Sequence, residues 1–175
     1  MPGKTIVTHD GKFHADDVFA VATALLLEPT LYILRTRDSK KINAGDIIVD
    51  VGGVYDESRN RFDHHQRSGA DARKDGILYA SFGLIWKKFG EKLCGNSAVA
   101  ERVERILVVP VDANDNGIDL SAPKSPGYAP YELSDVVRAF IPTWQEKNLS
   151  QDDAFTEAVS FAKRIIEREI KRAQA

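Results

Sequence analysis

Apolar positions first gather in three short β-branched runs, at 5–8, 31–36 and 47–51. Each is bounded by turn residues and lacks a polar face, which predicts strands buried on both faces. Helical spacing lies between and after them. Asp16 or Asp17 can cap a helix that buries Phe19, Ala22, Leu25 and Leu26 and stops at Pro29. The spacing also predicts helices over 77–89 and 97–107, with "GEKLCGNS" as the break between them. A long helix follows over 150–173, where Ser150 begins a capping pattern and Phe155, Val159, Ala162, Ile166 and Ile170 form one stripe.

Strands alternating with helices imply an α/β fold: a mainly parallel central sheet flanked by helices, closed by the long C-terminal helix. A single domain is expected over 1–175, with an α/β core over about 1–120 and a helical extension over about 121–175. The loop "SAPKSPGYAP" at 121–130 reads as a connection between the two. Open sheets of this kind carry their reactive groups beyond the carboxyl ends of the strands.

Composition narrows the function. A hydrophobic content of 43% with 29% charged residues suits a globular protein, and a net charge of −2 argues against a broad nucleic-acid-binding face. Cys94 is the sole cysteine, so neither an internal disulfide nor a cysteine-based zinc site can form. Residues 1–7 lack a leader pattern, and the longest apolar run, 18–27, is far short of the roughly 20 residues that span a bilayer. The expectation is a cytoplasmic protein with no membrane partner.

The four histidines sit in two motifs, "THDGKFHADD" and "RFDHHQ". His9 follows the first strand, Asp50 ends the third, and Asp63, His64 and His65 follow the turn segment "YDESRNRF". Asp112 and Asp115 come after "ILVVPV", which reads as a fourth strand or as the end of a helix. Four segments thus deliver His or Asp toward one edge. Imidazole and carboxylate together suit Mn²⁺, with Mg²⁺, Fe²⁺, Co²⁺ or Zn²⁺ as competitors. The candidates outnumber the needs of one ion, and two ions about 4 Å apart would form a centre for attacking phosphorus. Blander readings suit several neighbours: Asp10 as a turn residue, Asp17 as a helix cap, Trp86 and Phe89 as core. Trp144 could stack on a base, although packing is the commoner use.

Taken in order, "THDGKFHADD", "RTRD", "IVDVGGVYD", "RFDHHQ" and "VDANDNG" resemble the DHH phosphoesterase superfamily, and most closely its melanocyte-proliferating-gene (Myg) branch, also labelled metal-dependent protein hydrolase. The likeness covers the family's first half; such proteins usually continue into a second, substrate-gripping domain, and the expectation is that it is absent here. The resemblance implies that His9, His14 and Asp16 form the first ligand motif, spaced H-x₄-H-x-D. Asp50 would bridge two ions, and His64 would bind the second. His65 would face the substrate phosphate, with Asp63 orienting an imidazole. The last ligand would be Asp112 or Asp115. His14 stands where many DHH enzymes carry a carboxylate. Arg35, Arg37 and Arg61, with other basic loop residues, could hold phosphate oxygens.

The expected function is a metal-dependent phosphodiesterase, exonuclease-like, in which a hydroxide activated by two metals cleaves short RNA or oligonucleotides. Two rivals remain: a pyrophosphatase or small-molecule phosphatase with the same ligands, and a non-catalytic metal-binding interaction module. A homodimer joined through the apolar stripe of the last helix could supply a missing wall.

Overall fold

The computed structural model describes residues 3–67, 69–121, 125 and 127–175. Three parallel strands form where the β-branched runs lie: β1 (Thr5–Thr8), β2 (Tyr32–Arg35) and β3 (Ile47–Val49). Two more, β4 (Tyr55–Asp56) and β5 (Arg61–Phe62), come from the segment expected to be a plain turn. There Asp56 accepts from the Ser58 and Arg59 amides and starts a 3₁₀ turn over Glu57–Arg59, and Asn60 closes it in the left-handed region at φ 56°. The side-chain hydrogen bonds of Asp56 and the left-handed backbone of Asn60, not hydrophobic alternation, make this hairpin, so periodicity did not reveal it.

The sheet order is β2-β1-β3-β5-β4, parallel throughout except for the β4 edge, which runs antiparallel to β5. The chain leaves β1 to one side to form β2 and returns past it to form β3. The order therefore reverses between β1 and β3, and in such sheets a crevice opens outside the strand ends at that point.

Side chains alternate across the sheet as the strand period requires. Ile6 and Val49 join the main core, whereas Val7 and Ile48 face the other way and pack with Ile42 of α2 (Ser39–Ala44). The main face is covered by α1 (Ala15–Leu27) and α3 (Ser81–Cys94), and α7 (Gln151–Gln174) packs against α1. Phe155 of α7 meets Phe13 edge-on at 5.4 Å. Val137 of a short helix, α6 (Leu133–Arg138), lies in the same core. The expectation of strands buried on both faces fails for β2, an edge strand on which Tyr32 is 63% exposed. In α1, Leu26 is only half-buried.

Three other boundaries differ from the sequence reading. The helix expected from residue 77 starts at Ser81, and it runs through "GEKLC" to end at Gly95, whose φ of 71° suits the left-handed helix terminus. Asn96 then caps α4 (Ser97–Val103) by accepting from the Val99 amide. The segment "ILVVPV" is helical: a π turn over Glu104–Val108 leads into α5 (Val109–Asp115). Pro110 has no N–H to give to an upstream carbonyl and its ring crowds that turn, and widening the helix just ahead of it relieves both problems. Tertiary burial beside Leu107 overrides the strand preference of the β-branched Val108 and Val111. Ala122–Lys124 and Pro126, in the loop expected at 121–130, lie outside the described residues.

Candidate metal centre

Each carboxyl end at the crevice delivers a candidate site residue. His9 is the residue after β1, Asp50 the residue after β3 and Asp63 the residue after β5. Asp50 adopts φ 53°, a left-handed conformation that a non-glycine residue takes at a cost of about 1–3 kcal/mol unless its surroundings impose it. That turn points its carboxylate back at the strand ends. The start of α1 contributes His14, Asp16 and Asp17, and the end of α5 contributes Asp115.

His9 is 4% exposed. Its Nδ1 lies 3.0 Å from the Asp10 carbonyl oxygen, an arrangement that makes Nδ1 the donor and leaves the Nε2 lone pair for a ligand. Nε2 lies 3.2 Å from Asp17 Oδ2 and 3.2 Å from Asp50 Oδ2. Across the crevice, His64 Nε2 is 3.2 Å from Asp115 Oδ2, 3.3 Å from Asp50 Oδ1 and 3.7 Å from Asp16 Oδ2. The two Asp50 oxygens therefore face different imidazoles. His65 is more open; its Nδ1 is 2.8 Å from Asp63 Oδ1 and 3.4 Å from Asp50 Oδ1. Asp63 also accepts from the Gly53 and His65 amides, which fixes its orientation.

Three sets of side chains bring ligand atoms within 4.8 Å of one another: His9, His14 and Asp50; Asp50, His64 and His65; His14, Asp16 and Asp115. Asp50 and His14 each belong to two of them. Among the described residues, buried Asp16 Oδ1 has no hydrogen-bond partner, and Asp17 Oδ2 and His64 Nε2 have charged neighbours at 3.2 Å but no well-aligned hydrogen bond; such groups are expensive to bury unless something coordinates them. The donor set and its orphaned atoms fit divalent cations.

Electrostatics point the same way. Burial would lower the His9 imidazole, but Asp17 and Asp50 lift it to about 10. Burial opposes the same rise in His64, which Asp115 and Asp50 also lift to about 10. Burial raises Asp16 well above the usual carboxyl range, with further pushes from Asp50, Asp115 and Asp17. Asp50 stays below that range despite burial, because His64 and His9 surround it. Protons on imidazoles offset this buried negative charge, and a divalent cation supplies the same compensation while displacing them.

Comparison with known sequences matches residues 5–175 to the MYG1 exonuclease model, whose description is an uncharacterised protein family, UPF0160. The chain belongs to the MYG1 family. It is 35% identical over 184 residues to the MYG1 exonuclease of Bos taurus, covering 93% of this chain and 48% of that protein. The Homo sapiens MYG1 exonuclease is 35% identical over 180 residues, covering 91% and 48%, and a Schizosaccharomyces pombe MYG1 protein is 37% identical over 166 residues, covering 85% and 50%. The chain spans about half the length of these curated MYG1 relatives. No solved structure matches it.

Some expected residues of this MYG1-family chain lie apart from the cluster. Asp112 is fully buried, but its oxygens accept from Arg73 Nη2 at 2.7 Å and from the Gly83 amide at 3.0 Å, while Asp115, one helical turn on, faces the crevice. Burial pushes Asp112 up to about 7 against the pull of Arg73. Arg35 is engaged elsewhere: its guanidinium pairs with Asp152 at 2.6 Å, donates to the Gly11 carbonyl and lies 4.6 Å from the Phe155 ring centroid. Arg37 is exposed and 3.3 Å from Asp10, and Arg61 Nη1 donates to the Arg59 carbonyl.

Two residues at the centre were not read as such from the sequence. Asp17 does cap α1, with Oδ1 accepting from the His14 amide, but its other oxygen faces His9. A carboxylate directly after a candidate ligand was the signal available. Ser81 is fully buried; its amide donates to Asp16 and its hydroxyl to Asp50. Nothing in "YASFG" distinguishes it from an ordinary helix start.

Proposed function

We propose that this chain is a divalent-cation-dependent phosphodiesterase that cleaves short single-stranded RNA or oligonucleotides, as an exonuclease. The observation that carries the proposal is Asp50, whose two carboxylate oxygens face His9 and His64 in a crevice where imidazole and carboxylate ligand atoms crowd within 4.8 Å of one another. The exonuclease name of the Bos taurus and Homo sapiens relatives supports a nucleic-acid substrate. The order of the His and Asp motifs supports a place in the DHH phosphoesterase superfamily.

In this reading His9, His14, Asp16, Asp50, His64 and Asp115 would hold two cations, Mn²⁺ first among the candidates, and Asp50 could serve both. Bound divalent cations would acidify a water for attack on phosphorus and draw charge from the phosphoryl oxygens. Asp17 holds His9 from the side, and Ser81 orients Asp16 and Asp50 through its amide and hydroxyl. His65 is exposed, and its hydrogen bond to Asp63 raises its pKa and so favours the imidazolium that would donate to a phosphate oxygen. Asp112 with Arg73 positions the helix that carries Asp115.

The test is hydrolysis by the purified protein with Mn²⁺ of a short RNA, a dinucleotide and pyrophosphate, compared with Asp50→Ala. Turnover of RNA or dinucleotide, abolished in Asp50→Ala, is the expected result. Turnover of pyrophosphate alone would move the function to the small-molecule phosphatases, and no turnover of any substrate would remove the enzymatic reading.

A further inference from the structure

Beside the cation cluster opens a cavity of about 870 Å³, between the start of α1, the end of α5, α6 and the segment after it. His14 and Asp115 belong both to its lining and to the cluster. A phosphate held at the cluster would therefore have one of its flanking groups directed into this cavity.

Two cationic side chains line the cavity, Lys12 and Arg138, but Arg138 is already paired with Asp135 at 2.5 Å, and most of the remaining lining is of a kind that a second inorganic phosphate would not use. Ile141 and Pro142 supply apolar wall, Asn114 and Gln151 supply neutral hydrogen-bonding groups, and Trp144 stands beside them. Trp144 is 84% exposed, whereas Trp86, the chain's other tryptophan, is 2% exposed and fixed by a hydrogen bond to the Ala100 carbonyl. The indole of Trp144 thus serves no packing role, and it presents a flat apolar face at the rim of a cavity joined to a phosphate-directed centre. Lys12, also on the lining, forms no ion pair among the described residues and can meet an anionic backbone.

An aromatic face, an apolar wall and a few neutral polar groups are what a nucleobase needs, because every base offers a π-face for stacking and an edge for hydrogen bonds. We infer that this cavity takes the terminal nucleoside of a single-stranded polynucleotide, with its base stacked on Trp144. The inference rests on the phosphodiesterase reading above and adds to it the subsite that distinguishes a nucleotide from a bare phosphoester.

The experiment separates the two. The full chain with Mn²⁺ is titrated with adenosine 5′-monophosphate and with ribose 5-phosphate, which carries a hydroxyl in place of the base, while tryptophan emission and heat are followed. The nucleotide is expected to quench Trp144 and to bind about tenfold or more tightly than the sugar phosphate, a margin set by base stacking. Trp144→Ala should erase that margin without lowering Tm, and Trp144→Phe should keep most of it. With Mn²⁺ and a dinucleotide, Trp144→Ala should raise KM by a similar factor with kcat within about twofold. Equal binding of the two probes, or an unchanged KM in Trp144→Ala, overturns the subsite. Preferential nucleotide binding without hydrolysis of any substrate supports the subsite and overturns only the enzymatic reading.

Discussion

His9 Nε2 lies 3.2 Å from Asp50 Oδ2, and the two residues leave neighbouring parallel strands, β1 and β3, where the strand order reverses. Their proximity is thus a product of topology: residues far apart in sequence meet because the chain crosses β1 on its way from β2 to β3. His64 reaches the opposite oxygen of Asp50 from the end of β5, the strand beside β3 on its other edge.

Asp16 is fully buried and repelled by Asp50, Asp115 and Asp17. Replacing it by Asn removes a charge that the metal-free fold bears at a cost. Asp16→Asn is expected to raise Tm in EDTA by about 2–4 °C, the shift that roughly 1 kcal/mol gives a chain of this size. It should also abolish most of the Tm increase that Mn²⁺ gives the wild type by binding only the folded state. Thermal melts with and without metal check both signs together; a lower Tm in EDTA would show that Asp16 stabilises the metal-free fold.

Asp63 touches His65 and backbone amides. If it orients His65, Asp63→Asn should lower kcat by about 10–100-fold, the usual effect of losing such a support. Mn²⁺ affinity should change far less. Steady-state kinetics beside metal titration decide this; a loss of metal affinity as large as the loss of kcat would make Asp63 part of the metal cage.

Arg73 is the charged partner of buried Asp112, and it also pairs with Glu104 at 2.9 Å. Arg73→Ala strands a buried carboxyl, so a loss of about 3 kcal/mol is expected, and adding Asp112→Asn should recover much of it. Asp112 has a folded pKa raised to about 7, above its unfolded value, so its ionisation costs stability as pH rises. Without Arg73 that pKa rises further. The deficit of Arg73→Ala should then be smallest below about pH 7 and widen above it; urea melts across this range test the sign, and a deficit independent of pH would contradict it.

Gly83 approaches the same carboxylate so closely that a Cβ would lie 1.8 Å from Asp112 Oδ2. Gly83→Ala must displace Asp112 or tilt α3, and a cost of about 1–3 kcal/mol is expected from overpacking. The same shift should weaken activity through Asp115, which α5 carries one turn further on. A melt and an activity assay on one preparation test this; wild-type values in both would show that the carboxylate moves freely.

Much of the centre was legible because its signals are local in sequence. His9, Asp50 and His64 each follow a strand or turn, and strand ends are where a parallel sheet exposes its ligands. Asp112 and Asp115 could not be separated from sequence: which one faces the crevice depends on the phase of a helix entered through a π turn at Pro110. Arg35 looked free to bind phosphate until α7, 117 residues away, supplied Asp152. Ser81 had no sequence signal at all, because its role arises from packing α3 against α1 and the end of β3. The β4–β5 hairpin was hidden because each strand is only two residues long.

The most direct measurement is the metal content of the folded chain after equilibrium dialysis against Mn²⁺, for wild type and for His9→Ala, Asp50→Ala and His64→Ala. Two equivalents in the wild type, falling in every variant and furthest in Asp50→Ala, are expected. No uptake by the folded wild type, or uptake that Asp50→Ala leaves unchanged, would contradict a shared cation centre at these strand ends.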